Sequence, residues 1–385
     1  MSGKSSGNRN GSGSGTSGAR PTVVVVGGGY GGSAVAKALD EGTEVVLVEP
    51  KDAFVHAAGS LRALVRPDWA GNIFFPYDKL LKRGRVVREQ AASVDTGGVT
   101  LASGARVDAD YIVLASGSGY PFPAKMDTDV AAEALERIRA AHKELAGAER
   151  VLIVGAGPVG LELAGEIKAV WPAKHVVVVD PAEQLMPGFA PEMRDDLRRQ
   201  LDALGVELRL GTALAREPSS GPGRAGAFTV ATAGAGELSA DIWFRCHGVT
   251  VSGDYLGGEL AGARTPQGHV QVTDTLNLSA RGRVHPHIYA LGDLTALAES
   301  KMAGYAMRHA EVVAANILAQ VRGEEPASVY RPSPIPSILL PLGPSGGVGQ
   351  VPTPEGPSVL AAEAVSQYKG ADLFTGRFVE LFDTA

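Results

Sequence analysis

Two glycine clusters and two carboxylates carry the most legible chemistry of this chain. Gly27, Gly29 and Gly32 stand in a G-x-G-x-x-G spacing, and Gly155, Gly157 and Gly160 repeat it. In such a triplet the first glycine permits a tight turn, the second lets backbone approach a pyrophosphate, and the third lets a helix lie close to a strand. A helix opening at that point offers free N–H groups and the positive end of its dipole to phosphate. Glu49 follows the first cluster, and Asp180 the second, at the roughly twenty-residue distance where a carboxylate can take ribose hydroxyls. A single glycine triplet is weak evidence. Two, each between a strand pattern and a helix pattern and each followed by an acid, predict two dinucleotide sites.

The elements that must position these groups follow from periodicity. Thr22–Val26 and Val45–Val48 read as strands buried on both faces, with a helix from Ser33 to Leu39 between them whose Val35, Ala38 and Leu39 face the sheet. Val151–Val154, a helix over Leu161–Val170 and Val176–Asp180 repeat the unit. Tyr111–Ala115 is a further buried strand, followed by Ser116–Gly119 and a proline-marked crossover. Short antiparallel strands are expected at Arg85–Arg88, Val94, Val99–Leu101 and Arg106–Val107. Helices are expected over Val130–Leu145, Glu192–Leu204 and Tyr305–Val321, and a strand ends at Gly292-Asp293. Residues 219–227 read as a flexible hairpin tip without an assigned role. The class is therefore α/β: two Rossmann-like dinucleotide-binding domains in a glutathione-reductase-like arrangement, plus a small C-terminal α+β domain. The boundaries read as a flexible tail over 1–20, a discontinuous first domain over 21–125 and 249–328, a second over 126–248, and a C-terminal domain over 329–385.

Bulk properties narrow the chemistry. The chain has 385 residues, 44% hydrophobic and 20% charged, with a formal net charge of −6. That balance argues against nucleic acid as a partner. Cys246 is the one cysteine, so an internal disulfide and a Cys-x-x-C redox pair are both excluded; it reads as a small buried hydrophobe. No histidine grouping has metal-ligand spacing, and no metal is expected. No apolar run reaches the roughly 20 residues of a spanning helix. A cytoplasmic protein is expected, as a monomer or homodimer, with peripheral contact to the inner membrane face through the C-terminal region. There Val359–Val365 and Leu373-Phe374 read as an amphipathic face, although its mixed charges are less basic than a membrane helix favours.

The residues from Pro21 to Ala385 resemble the flavoproteins with two dinucleotide-binding domains. Within the FAD- and NAD(P)-dependent pyridine nucleotide oxidoreductases the chain is most similar to the apoptosis-inducing-factor-like and ferroptosis suppressor branch, with type II NADH dehydrogenases as cousins. The resemblance rests on Val26–Gly32, Lys51–Phe54, Leu61–Ala63, Ala115–Ser118 with Pro121–Pro123, Gly160–Ile167, Tyr289–Asp293, Lys301–Ala303, Gly347–Gln350 and Asp372–Phe374. It implies that the first unit binds FAD. Gly27, Gly29, Tyr30, Gly31 and Gly32 would surround the pyrophosphate and Glu49 the ribose, with Pro50, Lys51, Arg62, Ala115, Ser116 and Gly117 nearby. Gly292 and Asp293 would meet the ribityl chain, and Lys301, Met302 and Ala303 the flavin approach. Gly155, Gly157, Pro158, Gly160 and Asp180 would hold the nicotinamide nucleotide. Asp180 sits where a 2′-phosphate would go, so NADH is expected over NADPH.

Glu162, Lys301 and His56 are the catalytic candidates the resemblance offers. Each has a blander reading: a helix-start carboxylate for Glu162, a solvated charge for Lys301, and a packed loop residue for His56. His247 reads as a strand cap, and His309 as core or flavin-side. The expected activity is hydride transfer from NADH to FAD and then two-electron delivery to a quinone-type acceptor, since the missing cysteine pair removes the disulfide route. The competing readings are a flavoenzyme for a dedicated small organic substrate, a redox-sensing protein that binds FAD and NADH, and a ferredoxin or rubredoxin reductase.

Overall fold

The computed structural model describes residues 20–234 and 236–384; apart from Arg20, the expected tail lies outside the described residues. The β-branched run Thr22–Val26 forms β1, and Glu44–Val48 forms β2, paired in parallel. Val23 and Val25 face one side of the sheet and Val24 and Val26 the other, all at most 4% exposed. Such double burial is what a run of valines without polar alternation requires. The sheet has six strands, in the order Asn277–Ala280, Arg283–Ala290, Tyr111–Leu114, β1, β2, Arg85–Val87. Arg85–Val87 is thus a parallel edge strand on β2, not the antiparallel strand expected. The other short strands, Ala91–Asp95, Gly98–Leu101 and Arg106–Asp108, do form an antiparallel sheet.

Helix α1, Tyr30–Leu39, begins immediately after Gly29, three residues earlier than the pattern implied. Its inward face is Val35, Ala36 and Leu39, whereas Ala38 is exposed. Helix α2, Ser60–Val65, is buried along its whole length, and α3, Ala131–Gly147, turns Ala134, Ile138, Ala141 and Leu145 inward. The first N–H of α3 is taken by Asp52 Oδ1 at 2.8 Å, so the loop after β2 caps a helix some eighty residues on.

The second unit repeats the scheme. Arg150–Val154 lies between His175–Asp180 and Ile242–Arg245, with Val206–Leu210 outermost, all parallel. Helix α4, Pro158–Val170, follows the second glycine cluster, and α5, Pro191–Ala203, turns Met193, Leu197 and Leu201 inward. Residues 219–227 lie, as expected, in the connection between the antiparallel strands Ala213–Leu214 and Phe228–Ala233, but the segment is bonded back onto the neighbouring sheet. Gly223 N–H donates to Trp243 O, Gly226 N–H to Asp241 O, and Trp243 Nε1–H to Ser220 O, which lays the segment along the strand Ile242–Arg245. The passages between the two units pair with each other as antiparallel strands, Ser118↔Val251 and Gly119↔Thr250.

Helix α6, Ala303–Val321, packs on α1, and the close approach needs Gly31: a Cβ there would come within 2.9 Å of the Ala306 carbonyl oxygen. The C-terminal unit is an antiparallel sheet, Ile338–Leu342, Gly346–Thr353 and Gly356–Leu360, followed by α7, Ala362–Val365, a π-turn over Ser366–Gly370, and α8, Thr375–Phe382. Gly165 on α4 lets this sheet close in, since a Cβ would sit 2.5 Å from Leu342 Cα. Gly347 and Gln350 complete the docking. The Gly347 N–H and carbonyl both bond Gln200, and Gln350 Oε1 accepts the Ala190 N–H. In the stretch expected to form an amphipathic face, Val365 and Leu373 are buried, Val359, Leu360 and Phe374 half-buried, and Ala361 and Glu363 exposed. Among the described residues no helix is long and apolar enough to cross a membrane.

Candidate functional site

The strand registers decide which groups meet. Val26 pairs with both Val48 and Leu114, and Leu114 with Ala290. The residues that follow these strand ends, Gly27, Glu49, Ala115 and Leu291-Gly292-Asp293, therefore share the carboxyl edge of one sheet, where open α/β sheets bind ligands. In the second unit Val154 pairs with Val179 and Arg245, which gathers Gly155, Asp180 and Cys246 at an equivalent edge.

The two glycine clusters have nearly the same geometry. Gly27 has φ +99 and Gly155 φ +116. A Cβ on either would meet a neighbouring strand-end carbonyl, Ala115 O at 2.6 Å or Cys246 O at 2.5 Å. The middle glycines, Gly29 and Gly157, have nothing within 4 Å of a built Cβ. A Cβ on Gly32 would fall on the Gly27 carbonyl, and one on Gly160 on the Gly155 carbonyl. Turn, open approach and close helix contact are thus realised twice. Gly29 caps α1 and Gly157 caps α4, neither with a side-chain cap bond, so the cap residue itself leaves the first helical N–H groups to a phosphate. The residues present fit two dinucleotides.

The two acids also match. Glu49 Oε2 accepts the Gly28 N–H at 2.6 Å and Oε1 the Lys51 N–H at 3.0 Å. Asp180 Oδ2 accepts the Ala156 N–H at 2.7 Å and Oδ1 the Ala182 N–H at 2.8 Å. Each carboxylate ties its own glycine turn to the end of the next strand and keeps further lone pairs for a ribose.

Around the first cluster the packing is dense. Ser33 Oγ and Tyr77 OH both donate to the Gly28 carbonyl, at 2.7 and 2.8 Å. Tyr30 OH receives the Ala58 N–H, so its own proton goes to His56 Nδ1 at 3.0 Å, and His56 Nε2–H donates to Leu373 O at 2.6 Å. This fixes the tautomer, and burial pushes the His56 pKa down to about 4. His56 is thereby a neutral packed residue among Tyr30, Phe54 and Phe378 of α8, its ring 4.5 Å from Phe378. Burial raises the Tyr30 phenol pKa, and Asp293 and Glu162 raise it further, so both carboxylates lie within its electrostatic reach.

Asp293 Oδ2 accepts the Ser118 hydroxyl at 2.5 Å, and Lys125 Nζ stands 3.7 Å from the same oxygen. Behind this strand end the Gly292 N–H donates to His309 Nδ1 at 3.0 Å, and His309 Nε2 lies 2.9 Å from Glu299 Oε1. The ammonium of Lys301 is held by the carbonyls of Thr295 and Leu297, at 2.8 and 3.0 Å, and burial lowers its pKa. Met302 is the N-cap of α6 and Ala303 its first residue. Lys51 pairs with Asp129 at 3.2 Å. Ser116 Oγ bonds Ser252 O and Tyr255 OH, and Gly117 has φ +64.

Glu162 and Glu166 lie one turn apart on α4 and meet cations from different units. Lys369 Nζ donates to Glu162 Oε1 at 2.8 Å. Burial raises the Glu162 pKa, and Lys369 opposes the rise. Arg62, 2% exposed, gives Nε and Nη2 to Glu166 Oε1 at 3.0 and 2.7 Å and Nη1 to Ala371 O at 2.9 Å. The guanidinium of Arg62, expected among the cofactor contacts, joins α2, α4 and the C-terminal unit. Cys246 is buried, which raises its pKa to about 12 and leaves a thiol that is not nucleophilic.

Ser118, Lys125 and Lys369 were not picked out as site residues from the sequence. Two signals pointed to them. Ser118 and Lys125 flank the crossover prolines, and Lys369 precedes the Asp372-Leu373-Phe374 motif.

The sequence profile of the pyridine nucleotide-disulphide oxidoreductases matches residues 21–315. The chain is 31% identical over 339 residues to ferroptosis suppressor protein 1 of Taeniopygia guttata, covering 86% of this chain and 88% of that one. It is 28% identical over 377 residues to apoptosis-inducing factor homolog B of Dictyostelium discoideum, covering 93% and 95%. Among solved structures, the sulfide:quinone oxidoreductase of Aquifex aeolicus superposes with a TM-score of 0.74 at 18% identity, over 94% of this chain and 92% of that one.

Proposed function

The chain belongs to the pyridine nucleotide-disulphide oxidoreductase family, and on that premise we propose that it is an NADH:quinone oxidoreductase that works through FAD. The observation that carries this reading is the duplicated glycine turn in a chain whose only thiol is buried. Two nucleotides can be held, and no dithiol stands between them and the acceptor. Bound FAD supplies the redox chemistry, accepting a hydride from reduced nicotinamide and releasing two electrons to a quinone.

The chain's own residues bind, orient and exclude water. Gly27, Gly29 and Gly32, with the first N–H groups of α1, hold the FAD pyrophosphate, and Glu49 takes the adenosine ribose. Asp293 receives the ribityl chain on the lone pairs that the Ser118 hydroxyl leaves free. Residues 21–125 and 249–328 form the flavin domain, 126–248 the nicotinamide domain and 329–385 the C-terminal domain. Gly155, Gly157, Pro158 and Gly160 hold the NADH pyrophosphate. Pro158 at the first helical position gives up an N–H that would have no partner there. Asp180 accepts from a free 2′-hydroxyl and repels a 2′-phosphate. Lys369 Nζ donates to Glu162 and joins the second unit to the C-terminal one, beside a Glu162 carboxyl whose pKa burial raises. Lys301 serves as a fixed charge near the N-terminus of α6.

Anaerobic stopped-flow tests the acceptor. The enzyme is reduced with NADH and mixed with short-chain quinones. Reoxidation by a quinone much faster than by oxygen is expected; reoxidation no faster than by oxygen sinks the proposal. The ratio of kcat/KM for NADH to that for NADPH tests Asp180, and a preference for NADPH would refute the assigned selectivity.

A further inference from the structure

Asp293 is a carboxylate whose partners come from a crossover loop and not from its own strand. The Ser118 hydroxyl donates to Asp293 Oδ2 at 2.5 Å. Lys125 Nζ donates to the Ser118 carbonyl at 2.5 Å and to Ser118 Oγ at 3.0 Å, and stands 3.7 Å from Asp293 Oδ2. Ser118 Oγ therefore accepts from the ammonium and donates to the carboxylate, which fixes the direction of its proton. The Ser118 bond holds the carboxylate in one orientation and leaves its remaining lone pairs, those on Oδ1 among them, for a ligand hydroxyl.

The chain accepts a cost for this arrangement. Lys125 is half-buried, and the desolvation that lowers its pKa is opposed by Asp293 but reinforced by the charge of Lys51. A lysine needed only to close the loop could be replaced by a neutral donor without that penalty.

We propose that Lys125 is a positioning residue for the flavin nucleotide: through Ser118 it orients Asp293, so that the carboxylate receives the ribityl hydroxyls. The inference rests on the assignment of FAD to the first glycine cluster. It separates the two halves of that nucleotide. The adenosine diphosphate half lies on Gly27–Gly32 and Glu49, which Lys125 does not touch; the ribityl half lies on Asp293, which it orients.

The test uses the full-length chain and two probes, FAD and ADP. FAD affinity is measured by equilibrium uptake, and ADP is titrated as a competitor of that uptake, so that its inhibition constant reports the first cluster alone. Lys125→Met is expected to weaken FAD roughly 10- to 100-fold, the range for loss of a charge-assisted hydrogen bond, with the ADP constant unchanged. Lys125→Arg, which keeps the charge and a donor, should recover most of the FAD affinity. Ser118→Ala should act like Lys125→Met and carries the test if that variant does not fold. An unchanged FAD affinity in Lys125→Met, or an ADP constant weakened by the same factor as FAD, overturns the proposal, since the second result marks a purely structural loop. A wild-type chain that takes up no FAD instead overturns the assignment on which the inference rests.

Discussion

The two glycine clusters share a backbone and differ in everything packed around it. The first is enclosed. The Gly28 carbonyl takes bonds from Ser33 and Tyr77, Glu49 is 7% exposed, and Tyr30 is wired through His56 to Leu373. Helix α8 then lays Phe378 on Phe54 and His56, and Phe382 on Phe54, Phe75 and Tyr77. The second cluster has the same carboxylate tie, from a half-buried Asp180, without an aromatic cover of that kind among the described residues. One local motif is thereby suited to two tasks. A nucleotide that stays bound through many turnovers needs an enclosed, rigid cradle, whereas a co-substrate that arrives and leaves needs an open one.

The contrast can be broken most severely at α8. Phe378→Ala removes a ring that is 3% exposed and should destabilise the chain by about 3–5 kcal/mol, the range for a buried phenylalanine. Denaturant unfolding measures the loss, and flavin should dissociate more readily from the folded variant. Full stability and flavin retention would show that α8 is not the cover of the first cradle.

Acid should act through the same cover. The folded-state pKa of His56 is near 4 against an ordinary 6.5, so the unfolded chain takes up the proton first. Stability is full above the ordinary histidine range and falls as pH drops towards the folded value, by about 3 kcal/mol in total. Replacing His56 with Asn should flatten the stability profile across that window. An unaltered slope would mean that the imidazole is not held neutral.

The acids test the clusters against each other. Glu49→Ala leaves the Gly28 and Lys51 N–H groups without their carboxylate and should weaken FAD about 100-fold, as loss of charge-assisted bonds does. Visible absorbance of the purified protein reads this directly. Asp180→Ala should retain FAD and raise the KM for NADH about tenfold, while improving NADPH relative to NADH. Loss of flavin from Asp180→Ala would erase the distinction between the two cradles.

Much of the site was legible along the chain because its signals are local. A glycine at positive φ and a valine run buried on both faces depend on near neighbours. These features gave both clusters, both acids and the Gly292-Asp293 strand end. The errors arose where a short segment had two permissible partners. Arg85–Val87 joined the parallel sheet because β2 offered a free edge, and residues 219–227, although in the hairpin connection expected, also run along Ile242–Arg245 through backbone bonds that their glycine-rich sequence does not encode.

The sequence by itself determined that this chain holds two dinucleotides and has no dithiol to pass electrons through. Only the tertiary structure decided which charges face one another. Arg62 and Glu166 are 104 residues apart, Ser118 and Asp293 175, and Glu162 and Lys369 207. Helix and strand periodicities place a side chain on a face, but the partner on the opposing face comes from another unit, and its identity follows from how the units dock. That docking placed Arg62 at the junction of α2, α4 and the C-terminal unit, made His56 a neutral packed ring, and set Lys125 beside Asp293.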